Sequence, residues 1–397
     1  MKDARNGHGF GSWLTRLSAF AGWAAASTKK HTSDPARIGP PIVTWPKDGG
    51  TEMRALSCPN CGSGALKPLM LMIDFADAPG SRKKNTLVRC PDCSCPFYSD
   101  QGLPDYAGES IMHPGYVPFY LQQSAGTSLI TRPLAQIRAP GGSVYVEVGC
   151  GFGFGLDYAR HAKGWMVQGI DPSGISALGQ TMLGVSVSNR YLGDAEPEHA
   201  GTCDVVMASE TIEHVPSPIG FVRVLRSMLR AGGTLVLTTP DGADLHRQTA
   251  PDVLVSLLSP GLHLIFQTRE SMQRILLQAG FSHILVTKDG NSLVAFASDR
   301  PLDMEDDHDV LRSQYRSYLA KRASDFSPEH DLFLAFAGRA FQEAVNDGAF
   351  DEAGRVRPQI HRRRRQTYGL CRRRSAGTAR RHTERSGRDD GDGWRKA

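Results

Sequence analysis

The stretch Val144-Tyr-Val-Glu-Val-Gly-Cys-Gly-Phe-Gly-Phe-Gly155 constrains this chain more than any other. Residues 144–148 alternate as a buried strand does, and glycine then recurs at 149, 151 and 153. That combination predicts a strand, a tight loop and the start of a helix. Glycine permits positive φ in the loop and lets a ligand approach main-chain N–H groups that a Cβ would screen. A glycine-rich turn without a ligand would have the same local sequence, so residues downstream must decide.

Met166–Ile170 is a second short apolar run, and it ends in Asp171. An acid about 20 residues beyond the glycines, at a strand's carboxyl end, is placed to accept both hydroxyls of a ribose. A dinucleotide and S-adenosylmethionine both satisfy the pattern to this point. Further features separate them. Glu147 stands just before Gly149, in reach of a ligand's amino-acid end. Gly193-Asp194-Ala195 follows the next apolar segment as if to contact an adenine, and Cys203–Glu210 is a fourth strand ending in polar residues at the same edge.

With these residues the chain resembles the class I S-adenosylmethionine-dependent methyltransferases over roughly 142–298. The likeness continues through Glu210-Thr-Ile-Glu213-His214-Val215, a helix over Phe221–Arg230, the Gly-Gly turn and strand of Ala231–Pro240, Gly261–Phe266, and the helix from Thr268 to Gly280 with Phe281 after it. The resemblance implies S-adenosylmethionine as cofactor, contacted by Glu147, Gly149, Cys150, Gly151, Gly153, Asp171, Asp194, Ala195 and Glu210. Taken as a residue, Cys150 reads as a small filler of the loop, not a nucleophile.

Strands at 144–148, 166–170, 187–191, 203–208 and 234–239 alternate with helical stretches. That order predicts an α/β fold, a doubly wound Rossmann-like sheet with its ligand at the C-terminal strand edge. His283–Thr287 and Leu293–Ala297 flank Asp289-Gly290, a hairpin signal. A terminal antiparallel hairpin is what the resemblance implies, whereas dinucleotide folds usually finish parallel.

Methyl transfer needs an aligned acceptor, exclusion of water and a base for the acceptor's proton. His214 is the candidate base, with Glu213 beside it. Glu210, Glu213 and His214 together resemble the metal-binding segment of small-RNA 2′-O-methyltransferases and of ubiquinone-pathway O-methyltransferases, and His263 stands where the RNA enzymes carry a second His. That likeness implies Mg²⁺ or Mn²⁺. A hydrogen-bonding role for Glu213 and His214, ahead of a helix beginning near Pro218, fits the same residues.

Cys58-Pro-Asn-Cys61 and Cys90-Pro-Asp-Cys93 are two C-x-x-C knuckles separated by a segment able to form a hairpin. Two knuckles complete a tetrahedral thiolate site suited to structural zinc, with Cys95 competing against Cys93 for the fourth place. Cys93 preserves the symmetry of the knuckles. The module resembles zinc ribbons placed before some bacterial methyltransferases of sugars or glycans.

The chain of 397 residues divides by composition into an N-terminal segment and linker (1–51), a zinc ribbon (52–104), a bridging cap (105–140), the methyltransferase core (141–300), a helical extension (301–353) and an Arg-rich tail (354–397). Residues 10–26 read as an amphipathic helix in preference to a leader, because Arg16 interrupts them. Tyr106, Tyr116, Phe119, Tyr120 and Leu121 in the bridge suit either a pocket wall or packing between domains. The net charge of +5 hides a tail with fifteen Lys and Arg against four acids from residue 355 on, so the rest of the chain is mildly acidic. Helices are expected over Val310–Ala323 and from Ser327-Pro328 to Val345, the second with Ser at its N-cap.

The sequence therefore predicts a cytoplasmic methyltransferase with no membrane span, acting on oxygen of a sugar-, glycan-like or other small hydroxylated acceptor. An RNA 2′-O-methyltransferase, a zinc-ribbon adaptor without turnover and a dinucleotide oxidoreductase are the alternatives. Nucleic acid is not the favoured partner.

Overall fold

The computed structural model describes residues 41–45, 57–64, 69–78, 81–99, 102–108, 121, 127–355, 357 and 360. The two knuckles flank an antiparallel sheet of order β1-β2-β3-β4, made of β1 (Ile42–Thr44), β2 (Leu69–Ala78), β3 (Ser81–Arg89) and β4 (Pro96–Tyr98). β2 and β3 are the hairpin expected between the knuckles. β1 comes from the stretch read as linker: Val43 pairs with Ile73 and packs on the apolar cluster beneath the sheet, so a three-residue β-branched run outweighs its Pro- and Gly-rich flanks. The helix expected over 10–26, bridge residues Tyr116, Phe119 and Tyr120, and residues 361–397 of the tail lie outside the described residues.

The larger sheet has seven strands: β5 (Val144–Val148), β6 (Met166–Ile170), β7 (Val187–Ser188), β8 (Cys203–Ser209), β9 (Leu229–Pro240), β10 (His283–Asp289) and β11 (Ser292–Ser298). Their order is β10-β11-β9-β8-β5-β6-β7. Pairing is parallel from β7 through β9, and β11 runs antiparallel to both β9 and β10. The strand order reverses beside β5, and ligands of open α/β sheets bind outside the carboxyl ends at such a switch point.

The helices of this layer are α1 (Thr127–Gln136), α2 (Phe154–Ala162), α3 (Gly174–Leu183), α4 (Pro218–Met228), α5 (Pro251–Leu258) and α6 (Arg269–Gln278). Each β-strand period of two meets a helical period near 3.6 in one buried cluster, with Val146, Val148, Val206 and Leu235 from the sheet against Val222, Leu225, Met272 and Ile275 from α4 and α6. α6 begins with a capping box in which the Thr268 and Ser271 side chains each bond the other's backbone N–H.

Two boundaries differ from expectation. β7 stops at Ser188, because Asn189 turns its amide to Ser176 Oγ (2.8 Å) and Arg190 forks onto Glu196 (2.8 and 2.6 Å). β9 starts at Leu229, so Arg230 belongs to the strand and not to the preceding helix; Leu229 pairs with Cys203, and Arg230 meets Asp204.

α7 (His308–Ser324) follows, and within the unit that holds both sheets Tyr318 donates from its hydroxyl to the buried Asp157 of α2 (2.7 Å). Of the described residues, Leu121, 319–355, 357 and 360 cluster as a second unit. In it α8 (Asp331–Asn346) starts later than the Ser327-Pro328 signal suggests. Those residues form a turn closed by the His330 N–H on Ser327 C=O (2.9 Å), and the His330 imidazole caps the helix by accepting from Leu332 N–H (3.1 Å). Phe333 and Ala337 of α8 pack with Ile360, and the Arg322 guanidinium lies over the Phe326 and Phe336 rings. Among the described residues no helix is long and apolar enough to cross a membrane.

Candidate active site

The loop after β5 takes the conformation its glycines allow: φ is +72° at Gly149, +51° at Gly151 and +90° at Gly153. Gly153 leads directly into α2, so the loop presents main-chain N–H groups at a helix N-terminus. Gly151 N–H donates to Asp171 Oδ2 (2.8 Å), which ties the end of β6 to the loop. The other oxygen, Oδ1, accepts from the backbone N–H (2.8 Å) and hydroxyl (2.6 Å) of Ser173. A carboxylate has about four acceptor positions, so Asp171 is oriented yet keeps capacity for another donor. Cys150 is buried, and its sulfur would lie 2.7 Å from a Cβ on Gly169, which makes it a packing residue of the loop.

Glu147 is fully buried one residue before the end of β5, and neither carboxylate oxygen has a hydrogen-bond partner. Burial pushes its carboxyl up to about 8. Tyr145, two residues earlier on the same strand face, is equally buried with its hydroxyl unpartnered. Period-two alternation on β5 was the available signal for Tyr145. A buried acid left this way costs free energy unless a ligand supplies the missing donors. Asp194 and Ala195 are exposed beyond the end of β7, after Gly193, whose N–H is held by Glu196 Oε1 (2.8 Å).

Across the switch point β8 ends at Ser209, and a 3₁₀ turn (Ile212–His214) follows. It brings Glu213, His214 and His263 together, with one ligand atom from each lying within 4.8 Å of the others. Glu213 is fully buried; Oε2 accepts from Thr239 Oγ1 (2.9 Å), while Oε1 has no hydrogen-bond partner and stands 3.7 Å from His214 Nε2. His263 Nδ1 meets Leu257 C=O at 2.8 Å; a ring nitrogen on a carbonyl carries the proton, so Nε2 is the nitrogen with the lone pair. His214 Nδ1 lies 2.5 Å from the Tyr106 hydroxyl and 3.1 Å from Leu262 C=O.

Glu210 is not brought into this group. Its φ of +48° turns it aside, and its Oε1 accepts from Thr238 Oγ1 (3.2 Å). Burial, then the neighbouring Glu213, holds its carboxyl well above the usual range. Burial likewise pushes Glu213 up to about 8 and His214 down to about 4, and burial followed by His214 keeps His263 well below the ordinary imidazole range. The cluster is thus close to neutral around pH 7, and an entering cation is matched by release of the Glu213 proton.

The sequence marks Tyr106 only as pocket wall or packing. In the structure its backbone N–H donates to Tyr191 OH (2.8 Å) and its own hydroxyl bonds His214 and Leu262 C=O (3.2 Å). No pattern marks a partner 108 residues away along the chain.

In the ribbon, Cys58 and Cys93 sulfurs are 3.7 Å apart, Cys61 and Cys90 likewise, and all four lie within 4.8 Å. Cys95 stands outside that set, its thiol donating to Phe266 C=O (3.2 Å). Cys93 is held below the ordinary thiol range by hydrogen bonds from Cys58 and Cys95, the pattern of sulfurs sharing charge that a cation would neutralise.

Residues 123–286 match a family described as a methyltransferase domain. The ubiquinone biosynthesis O-methyltransferase of Marinobacter nauticus is 34% identical over 129 residues, 30% of this chain and 54% of its own. That of Xanthomonas campestris pv. campestris is 36% identical over 111 residues, 26% of this chain and 46% of its own. The chain spans about half the length of the curated relatives it matches. Among solved structures, a complex of the Haloferax volcanii Trm112 methyltransferase activator with a methyltransferase aligns at TM-score 0.40 and 14% identity, covering 50% of this chain and 99% of that one.

Proposed function

We propose that this chain, whose residues 123–286 match a methyltransferase-domain family, is an S-adenosylmethionine-dependent O-methyltransferase of a small hydroxylated acceptor. Glu147 carries the reading: it is a fully buried carboxyl with two unpartnered oxygens beside a glycine loop. A cofactor with a cationic amino-acid end meets that need, whereas a dinucleotide leaves the acid unused.

The bound cofactor supplies a methyl group on a sulfonium, activated for in-line displacement. The chain's part is to hold and align. Glu147 takes the amino end, Gly149, Gly151 and Gly153 offer main-chain N–H groups, and Asp171 accepts from the ribose hydroxyls. Asp194 and Ala195 would meet the adenine, and Glu210, just after β8, would complete the cofactor contacts. With no cation bound, His214 would accept the acceptor's proton at Nε2, which stands 3.7 Å from Glu213 Oε1.

Glu213, His214 and His263 also fit a divalent cation, with the unpartnered Glu213 Oε1 and the oriented His263 Nε2 as donors. One carboxylate and two imidazoles suit Mn²⁺ better than Mg²⁺, which prefers an all-oxygen shell. Cys58, Cys61, Cys90 and Cys93 fit structural Zn²⁺ with no open position.

The relatives named for ubiquinone biosynthesis O-methylation support oxygen as the atom methylated. They lend no support to a sugar or glycan acceptor. Calorimetric titration with S-adenosylhomocysteine and NAD⁺ tests the reading: the first should bind, with affinity falling at least about tenfold in Asp171→Ala. Binding of NAD⁺ instead would overturn it.

A further inference from the structure

The segment Leu262–Phe266 is shared between the acceptor side of the cleft and the ribbon. On the cleft side, Leu264 N–H (2.8 Å) and Ile265 N–H (3.3 Å) donate to Glu213 C=O, Leu262 C=O meets His214 Nδ1 (3.1 Å), and His263 belongs to the cluster itself. On the ribbon side the same residues extend the small sheet. Tyr98 N–H donates to Leu264 C=O (2.9 Å), Phe266 N–H donates to Pro96 C=O (2.8 Å), and Phe97 pairs with Ile265 as an antiparallel bridge.

The ribbon residues that make these bonds are adjacent to the thiols. β4 begins three residues after Cys93, and the intervening Cys95 donates to Phe266 C=O. Asn60, inside the first knuckle and fully buried, accepts from Gln267 Nε2 (2.9 Å) and reaches Cys93 Sγ (3.8 Å) with its own amide. A strand of three residues is too short to hold its place unaided, and knuckles of this size fold only around their metal. Without it, β4 is held only by its three-residue pairing with β3 and the burial of Phe97 and Tyr98, so its register against Leu262–Phe266 loosens.

We infer that occupancy of the Cys58–Cys61–Cys90–Cys93 site governs whether Glu213, His214 and His263 are assembled, acting through β4 and Leu262–Phe266. The cofactor side is built from β5, β6 and their loops, which among the described residues take no hydrogen bond from the ribbon, so it stays formed when the thiolates are empty. For the chemistry of the cluster this rests on the methyltransferase reading; for the coupling it rests on the hydrogen bonds alone.

The test is amide hydrogen exchange on the full-length chain, zinc-loaded and stripped by a chelator, with S-adenosylhomocysteine affinity measured on both. Stripping should accelerate exchange at Leu264 and Phe266 by about tenfold or more, with Gly151 and Val206 unchanged and affinity within about threefold. Unchanged exchange at Leu264 and Phe266 in the stripped protein overturns the inference. Should stripping unfold the chain throughout, Asn60→Ala keeps all four sulfurs and removes the knuckle's side-chain bonds to Gln267, Ser271 C=O and Cys93 Sγ. Faster exchange at Phe266 in that variant supports the coupling, and no change there overturns it. Failure of the zinc-loaded protein to bind S-adenosylhomocysteine strikes the methyltransferase reading and leaves the exchange result standing.

Discussion

Gly149 and Thr211 compete for one volume: a Cβ on Gly149 would stand 2.3 Å from Thr211 Oγ1, and the glycine already holds φ at +72°. The end of β5 and the segment after β8 are in contact across the switch point, which brings the glycine loop and the Glu213–His214 turn to one edge. Gly149→Ala should therefore cost about 2–4 kcal/mol of stability from strain and overlap together. Adding Thr211→Ala removes the overlap and leaves the strain, so the double variant should recover part of the loss in a urea titration. Equal losses in the single and double variants would show that the overlap is relieved without cost.

Glu147 sets a pH dependence. Its carboxyl titrates near 8 in the folded chain against 4.5 in the unfolded one, so the unfolded state binds fewer protons between those values and stability falls as pH rises from 4.5 to about 8. Glu213 acts in the same sense, whereas His214, at about 4 against 6.5, makes stability rise with pH between those two values. Glu147→Gln should flatten the decline and be more stable than the parent at pH 8. Binding of S-adenosylmethionine at pH 7 should release close to one proton, read from calorimetric heats in buffers of different ionisation enthalpy. A proton count near zero would mean that Glu147 stays neutral beside the ligand.

The three-residue cluster makes a distinction among the acids. Mn²⁺ affinity, followed by electron paramagnetic resonance, should fall at least about tenfold in Glu213→Gln, His214→Ala and His263→Ala, and by less than about threefold in Glu210→Gln. His214→Ala should also lower kcat by about 10²–10⁴ with cofactor affinity retained. A large effect at Glu210 would restore it to the metal shell.

Cys95 and Cys93 separate in the same way. Cys95→Ala should keep one zinc per chain, because its sulfur is spent on Phe266 C=O, and lose about 1 kcal/mol of stability with that bond. Cys93→Ser should lose the metal. Elemental analysis of both purified variants decides between them.

How far the sequence could be read depended on how local each signal was. β5, its glycine loop, β6 with Asp171, the β10–β11 hairpin and the capped helix α6 all rest on patterns within about a dozen residues, and each formed as expected. β1 was missed because its pairing partner lies 30 residues on, in β2. The start of β9 was missed because Leu229 and Arg230 fit a helix equally well until Cys203 and Asp204 are beside them. At the site, three of the four residues expected to gather do so, and Glu210 departs because a backbone angle, +48° at a non-glycine residue, aims its side chain elsewhere. The bonds of Tyr106 and of the Leu262 carbonyl to His214 had no sequence signal, because both are contacts set by tertiary structure.

Leu71, Ile73, Leu87 and Tyr98 of the small sheet share one apolar cluster with Leu254, Leu257, Leu258 and Phe266 of the larger layer. A truncation that keeps only the family-matched segment would uncover that greasy face to water, and such a fragment would aggregate or need a detergent to stay dispersed. The smallest piece of this chain that can be expressed as a well-behaved protein therefore begins well ahead of residue 123, at or before β1.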